Sequence, residues 1–343
     1  MADAPSSMSD SSITARARRR ADFVRKAGWG DAQERLLAGD ASFRKYFRLR
    51  RGDTTVVVMD SPAAHEPVGP FVRIGRHLGA LGLSAPEILA EDSANGFLLL
   101  EDLGDDTFSR VLDKGGDEVQ LYELATDVLV AVHRAPNHGL LPDLDAYLGE
   151  GLIEAAMLLP EWYLPEASGK PTPDAEADTY RAAWRQCLSH LPPGGDTLLL
   201  RDYHKDNLLW LPQRSGVKAC GLLDFQDAQR GHPSYDLASL IEDARRDVSP
   251  AAYERCLARY IAETGLNASD FKTGFALMAA QRHARVIGLF VRLWRRDAKP
   301  DYLVHLPRVW RMFERALKHE AMAPLRGWVD RLLPPALRRI GHP

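Results

Sequence analysis

Asp202, Asn207 and Asp224 are the side chains whose types and spacing could do chemistry together. The first two lie in Leu198-Leu-Leu-Arg-Asp-Tyr-His-Lys-Asp-Asn-Leu-Leu-Trp210, the third in Leu222-Leu-Asp-Phe-Gln-Asp-Ala228. Asp202 and Asn207 stand five positions apart, a spacing at which one loop can offer a general base and a metal-binding amide. Residues 207–211 and 217–223 are β-rich runs flanking the turn 212–216. Paired as a hairpin, they would bring Asn207 and Asp224 together at its open end. Two hard oxygen donors of that kind suit Mg²⁺, which keeps several waters and takes phosphate oxygens as further ligands. Asp202 is then expected to accept the proton of a hydroxyl aimed at a terminal phosphate. Any one of these residues could be a turn cap; the whole arrangement is hard to reach by coincidence.

Such residues need a scaffold. Residues 43–49 and 54–59 are β-rich and separated by Arg51-Gly52-Asp53, a hairpin signal. Residues 70–81 carry Phe71, Ile74, Leu78 and Leu81 at helical spacing, with Gly82 near the end. Residues 88–90 and 96–100 read as a second strand pair. This predicts a small β-rich N-lobe over 22–102 with one helix. Beyond Leu103-Gly104 the pattern turns helical, first at 119–134 and again from Asp143 onward, so 103–343 are expected to form a larger, mostly helical C-lobe. Residues 1–14 are rich in Ser, Ala and Asp without a hydrophobic period. A disordered or frayed tail is expected over 1–21, leading into a first helix that Gly28 ends. The predicted class is α+β and bilobal.

Composition narrows the function. The 343 residues fit two domains at ~150 residues each. Lys and Arg number 44 against 47 Asp and Glu, a net charge of −3, so no basic field for nucleic acid exists. No apolar run approaches the ~20 residues needed to cross a bilayer. The three cysteines, Cys187, Cys220 and Cys256, are odd in number and far apart, which points to a reducing compartment without disulfides or a CxxC metal site. A cytoplasmic location is expected, with a small molecule as partner and no obligate protein partner evident.

Asp202-Tyr-His204-x-x-Asn207, Leu223-Asp224-Phe225 and Gly231-His-Pro-Ser-Tyr-Asp236-Leu-Ala together resemble the core of the aminoglycoside-phosphotransferase and choline-kinase superfamily. The resemblance implies a protein-kinase-like fold, with ATP and Mg²⁺. It assigns Asp202 as the catalytic aspartate, Asn207 and Asp224 as metal ligands, and Asp236 as a brace for the catalytic loop. Further segments, among them Gly39-Asp-Ala-Ser-Phe-Arg-Lys-Tyr-Phe-Arg48, Glu242-Asp-Ala-Arg-Arg-Asp-Val248 and Gln281-Arg-His-Ala-Arg285, are similar to bacterial cell-wall amino-sugar kinases. Those enzymes phosphorylate N-acetylmuramate and N-acetylglucosamine at the anomeric hydroxyl. The implied role is the making of sugar 1-phosphates in peptidoglycan recycling.

One departure stands out. Kinases of this architecture hold the nucleotide phosphates with a lysine on the third strand of the small lobe. Here Met59 takes that place, which leaves Glu66 without its usual partner. Arg44 is the expected substitute cation, with Ser42 approaching the phosphates and the backbone of Glu101 and Leu103 pairing with the adenine edge. For the sugar, the candidates are Arg201, His204, Gln226, Asp227 and Arg285, the last as partner for a lactyl carboxylate. Gln281, Arg285, Gly288 and Arg292 fall on one helical stripe. Competing expectations are a kinase for an aminoglycoside, choline or homoserine, a metal-dependent hydrolase, and a non-catalytic nucleotide-binding module.

Overall fold

The computed structural model describes residues 10–39, 44–62, 66–192 and 196–340. The chain divides into two compact units, Met1–Asp105 with Gly221–Asp227, and Asp106–Cys220 with Ala228–Pro343. The expected division at 102/103 therefore falls three residues short and misses the returning segment.

In the first unit, α1 (Asp10–Lys26) precedes β1 (Gln33–Gly39), β2 (Lys45–Arg51), β3 (Thr54–Asp60), α2 (Gly69–Ala80), β4 (Ile88–Asp92) and β5 (Phe97–Glu101). The strands form one antiparallel sheet in the order β1-β2-β3-β5-β4. Alternation along the strands puts Phe47, Leu49, Val56, Val58, Phe97 and Leu99 on one face, where Phe23 and Val24 of α1 cover them. Each such large side chain contributes about 1.5–3 kcal/mol on burial. The hairpin between β2 and β3 turns at Gly52, whose φ of +59° a glycine adopts without strain.

Of the tail expected over 1–21, residues 1–9 lie outside the described residues, and residues 10–21 belong to α1. Arg16 and Arg20 of that helix reach Asp60 at 2.6 and 2.9 Å and lie over the rings of Phe97 and Phe47. Those partners lie well outside the helix's own stretch of sequence, Asp60 being 40 and 44 residues away, so no local pattern announces them. The returning segment is likewise held here by partners distant in sequence. Leu222 donates to the Ser84 carbonyl at 2.9 Å, and the ring of Phe225 packs on Phe71 with centroids 4.7 Å apart.

The second unit contains α3 (Phe108–Asp113), α4 (Glu118–Arg134), β6 (Ala146–Tyr147), α5 (Glu150–Ala156), α6 (Leu164–Ser168), α7 (Asp174–Leu188), β7 (Thr197–Leu199) and β8 (Leu208–Trp210). After β9 (Cys220–Leu222), on which the unit boundary falls, come β10 (Gln229–Gly231), α8 (Ser234–Ile241), α9 (Pro250–Thr264), α10 (Ala268–Asp297), α11 (Leu306–Ala316) and α12 (Ala323–Leu332). β6, β10 and β7 make a small sheet, and β8 pairs with β9. Thr107 and Asp117 cap α3 and α4 by accepting the N–H groups of Arg110 and Gln120. The 30-residue α10 is the axis of the unit and packs on α8 and α11. No helix among the described residues is long and apolar enough to cross a membrane.

Candidate active site

The loop after β7 is fixed by a buried carboxylate. Asp236, in the first turn of α8, accepts the N–H of Leu200 at 2.6 Å and of Arg201 at 3.0 Å. Burial pushes its carboxyl up to about 7, against the pull of those two N–H groups. Held this way, Arg201 takes a φ of +69°, a left-handed conformation that costs a non-glycine residue about 1–2 kcal/mol. The turn presents Asp202, half-buried, whose own N–H donates to the Leu200 carbonyl at 2.9 Å. Next to it Tyr203 is buried and its hydroxyl donates to the Ala125 carbonyl of α4 at 2.8 Å. Asn207 closes the loop, its Nδ2 donating to the Asp202 carbonyl at 2.9 Å, which fixes the rotation of the amide.

His204 sits inside this loop as a neutral ring. Desolvation, and then the nearby Arg245, lower its pKa to about 4. Its Nδ1 accepts the Asp206 N–H at 3.3 Å, while Nε2 lies 3.4 Å from both Asn207 Nδ2 and Arg245 Nη1. With Nδ1 accepting, the single proton of the neutral ring sits on Nε2, and a second proton would have to displace the Asp206 N–H.

Around the loop lies a layer of tyrosines and arginines. The Arg201 guanidinium stacks over Tyr147 at 3.9 Å and hydrogen-bonds Gln229. Tyr147 meets Tyr235 edge-on at 5.2 Å, and its hydroxyl accepts Gln281 Nε2 at 3.0 Å. On α10, Arg285 is half-buried; desolvation works against its charge, and the field of Tyr235, Tyr147 and Asp202 together outweighs it and holds its pKa up. Arg282 is 4% exposed; burial disfavours its charge, while Tyr235, Asp243 and Asp202 support it.

The first unit holds its own group of polar side chains. Asp224 is exposed, has a φ of +57°, and accepts Gln226 Nε2 at 2.7 Å. Asp227 is exposed. Tyr46 of β2 feels both Arg44 and Asp224, and burial pushes its hydroxyl up to about 12. Arg44 forms an ion pair with Glu66 at 3.1 Å. At the end of β5, Arg48 clamps Asp102 at 2.7 Å and Asp105 at 2.7 Å.

A model of the phosphotransferase enzyme family matches residues 33–271, well over half of the chain. The chain belongs to that family. The phosphotransferase is 36% identical to the N-acetylmuramate/N-acetylglucosamine kinase of Caulobacter vibrioides, over 93% of this chain and 97% of that one. Against the kinase of the same name from Pseudomonas aeruginosa it is also 36% identical, over 84% and 86%. A solved structure, a choline/ethanolamine kinase family protein from Mesorhizobium loti, superposes on it with a TM-score of 0.60 at 16% identity, covering 94% of this chain and 98% of that one. That likeness bears out the expected α+β, protein-kinase-like class.

Several expected roles meet geometry that revises them. Glu66 does not lack an ion-pair partner, since Arg44 supplies one from the entry to β2 instead of from Met59. The Glu101 backbone is not wholly available to a purine, because its N–H donates to the Glu87 carbonyl at 2.8 Å. Leu103 follows in the short link beyond β5. Ser42 lies outside the described residues. Of the residues expected on the sugar, Arg201 stacks on Tyr147 and His204 lies against Asn207. Sequence reasoning passed over Arg282, Tyr235, Asp243 and Tyr46. Arg282 could have been found, being a charged residue amid Ala279, Ala280 and Ala284 and one helical turn before Arg285.

Proposed function

We propose that the protein transfers the γ-phosphoryl group of ATP to the anomeric hydroxyl of N-acetylmuramate and N-acetylglucosamine, giving sugar 1-phosphates for peptidoglycan recycling. The observation that carries this reading is the 36% identity to a kinase of that name across nearly the full length of both chains. Asp202 is the general base: it orients the acceptor hydroxyl and takes its proton late, in a transfer governed by positioning and charge neutralisation. An anomeric hydroxyl is more acidic than an ordinary alcohol, so the demand on Asp202 is modest.

Asn207 and Asp224 are the proposed ligands of Mg²⁺. Among the described residues there is no cluster of three His, Cys, Asp or Glu side chains, so an all-protein cage is absent. An amide oxygen and a carboxylate fit Mg²⁺, which fills its other positions with water and phosphate. When bound, the ion would neutralise charge on the transferring phosphates. Arg44, held by Glu66, is proposed to contact the nucleotide in place of the strand lysine, and the Glu101 carbonyl and Leu103 N–H to meet the adenine. Gln226 and Asp227 remain proposed contacts for the sugar.

The test is ADP release, with the product followed by phosphorus NMR, on N-acetylmuramate, N-acetylglucosamine, glucose, kanamycin and choline at fixed ATP and Mg²⁺. A 1-phosphate signal from the two amino sugars is the expected result. Turnover of kanamycin or choline alone would overturn the reading.

A further inference from the structure

The interior of the second unit contains polar atoms that the protein itself does not satisfy. Arg282 Nη1, Asp243 Oδ2 and Gln281 Oε1 are all buried without a hydrogen-bond partner, while the Tyr235 hydroxyl has the Arg285 guanidinium beside it as a hydrogen-bonding neighbour. Native interiors rarely leave such atoms unpaired; the donor among them, Arg282 Nη1, is the one that an anion can satisfy, since the two oxygens are acceptors. Arg282 is near enough to Tyr235, Asp243 and Asp202 for their fields to act on it. Tyr235 lies one residue before Asp236, the carboxylate that holds the Leu200 and Arg201 N–H groups. Gln281 and Arg282 face it from α10, which packs on α8.

The charge balance is as telling. A guanidinium removed from water needs a hydrogen-bonded acid. The acids that act on Arg282 are Asp243 and Asp202. Asp243 already accepts the Arg245 N–H at 2.8 Å through its other oxygen, and Asp202 is the proposed base for the acceptor hydroxyl. Neither gives Arg282 Nη1 a hydrogen bond. Arg285 stands three residues along, on the same helical face, beside Tyr235 and Tyr147. Two guanidinium groups so placed can take both oxygens of one carboxylate, the planar donor fork matching the planar anion.

We infer that Arg282 and Arg285 form the seat for a carboxylate on the acceptor, and that Arg282 thereby sets the preference for an acidic amino sugar over a neutral one. The inference rests on the sugar-kinase reading above. N-acetylmuramate carries a lactyl carboxylate and N-acetylglucosamine does not, so only the first can answer the buried charge. The neutral sugar leaves Arg282 as it stands in this structure.

The test compares kcat/KM for N-acetylmuramate, its lactyl carboxamide and N-acetylglucosamine in the wild type, Arg282→Met, Arg282→Lys and Arg285→Met. The carboxamide keeps the shape of the acid and removes its charge. The wild type is expected to prefer acid over amide by about 10- to 100-fold, the scale of charge-assisted hydrogen bonds. Arg282→Met should bring that ratio close to one, with Arg282→Lys in between. Equal losses on all three acceptors, as a phosphate contact or a purely structural role would give, overturn the inference. So does a wild type that treats acid and amide alike. If Arg282→Met fails to fold, the wild-type ratio and that of Arg285→Met still decide. A wild type that turns over none of the three overturns the sugar-kinase reading itself, and the inference with it.

Discussion

The loop from Leu200 to Asn207 and the buried face of α10 are neighbours of the same aspartate, yet they treat their polar groups in opposite ways. Along the loop, backbone N–H groups meet Asp236, Asn207 Nδ2 meets the Asp202 carbonyl, and Tyr203 meets Ala125. On α10, Arg282 Nη1 and Gln281 Oε1 are buried and unpaired. The loop is finished before any substrate arrives, at the cost of a left-handed Arg201. The helix face is complete only with something bound. Groups that must be in place for the chemical step are locked by the chain, and groups that recognise the acceptor are left for the acceptor to satisfy.

The sharpest way to break this contrast is Asp202→Asn. It is expected to lower kcat by about 10³-fold, within the range of a lost general base, while ATP affinity by calorimetry stays within a few-fold. Comparable losses in both would mean the loop had unfolded. Next comes Asn207→Ala, which removes a proposed metal ligand and the tie to the Asp202 carbonyl. A fall in kcat of about 10²-fold with a raised Mg²⁺ requirement is expected; loss without any change in Mg²⁺ dependence would assign Asn207 to the loop alone.

Asp236→Asn should have a smaller effect on rate, about 10-fold, because one of the two N–H bonds can survive. Its signature is in stability. The Asp236 carboxyl titrates near 7 in the folded chain and near ~4 unfolded, so between these values the native state holds the extra proton. This site therefore makes stability fall as pH rises from about 4 to 7, and Asp236→Asn should lose that slope in Tm measured against pH. Least affected is His204→Gln, expected to cost only a few-fold. A ring already neutral down to about 4 contributes no break to the kcat profile between pH 5 and 8, and an inflection near 6.5 that vanished in His204→Gln would contradict this.

Much of this molecule is legible along the chain. The β2–β3 hairpin, α2 and α4 follow from alternation, helical spacing and turn residues, because those signals are local. The Asp202–Asn207 spacing was visible for the same reason. What escaped depends on partners far apart in sequence. α1 is held by Asp60 across 40 residues, and Arg44 meets Glu66 because β2 starts beside the end of β3, with Lys45 opposite Asp60. Arg44 itself was named from the sequence as the substitute cation; its pairing with Glu66 was not, because that pairing depends on how the two strands lie side by side. Arg282 was hidden by its composition, since a charged residue on a long helix reads as solvated until burial is known.

Gly288 gives α10 a property that its arginines do not reveal. A Cβ at this position would lie 2.0 Å from the Leu158 carbonyl oxygen, so the helix backbone rests directly on the chain before Leu159–Tyr163. Less than one turn separates Gly288 from Arg285. An added methyl there would lever the helix outward and carry both guanidinium groups with it. Acceptor choice in this enzyme can thus drift through a position that never meets the sugar, and laboratory evolution toward new acceptors has a handle at that contact.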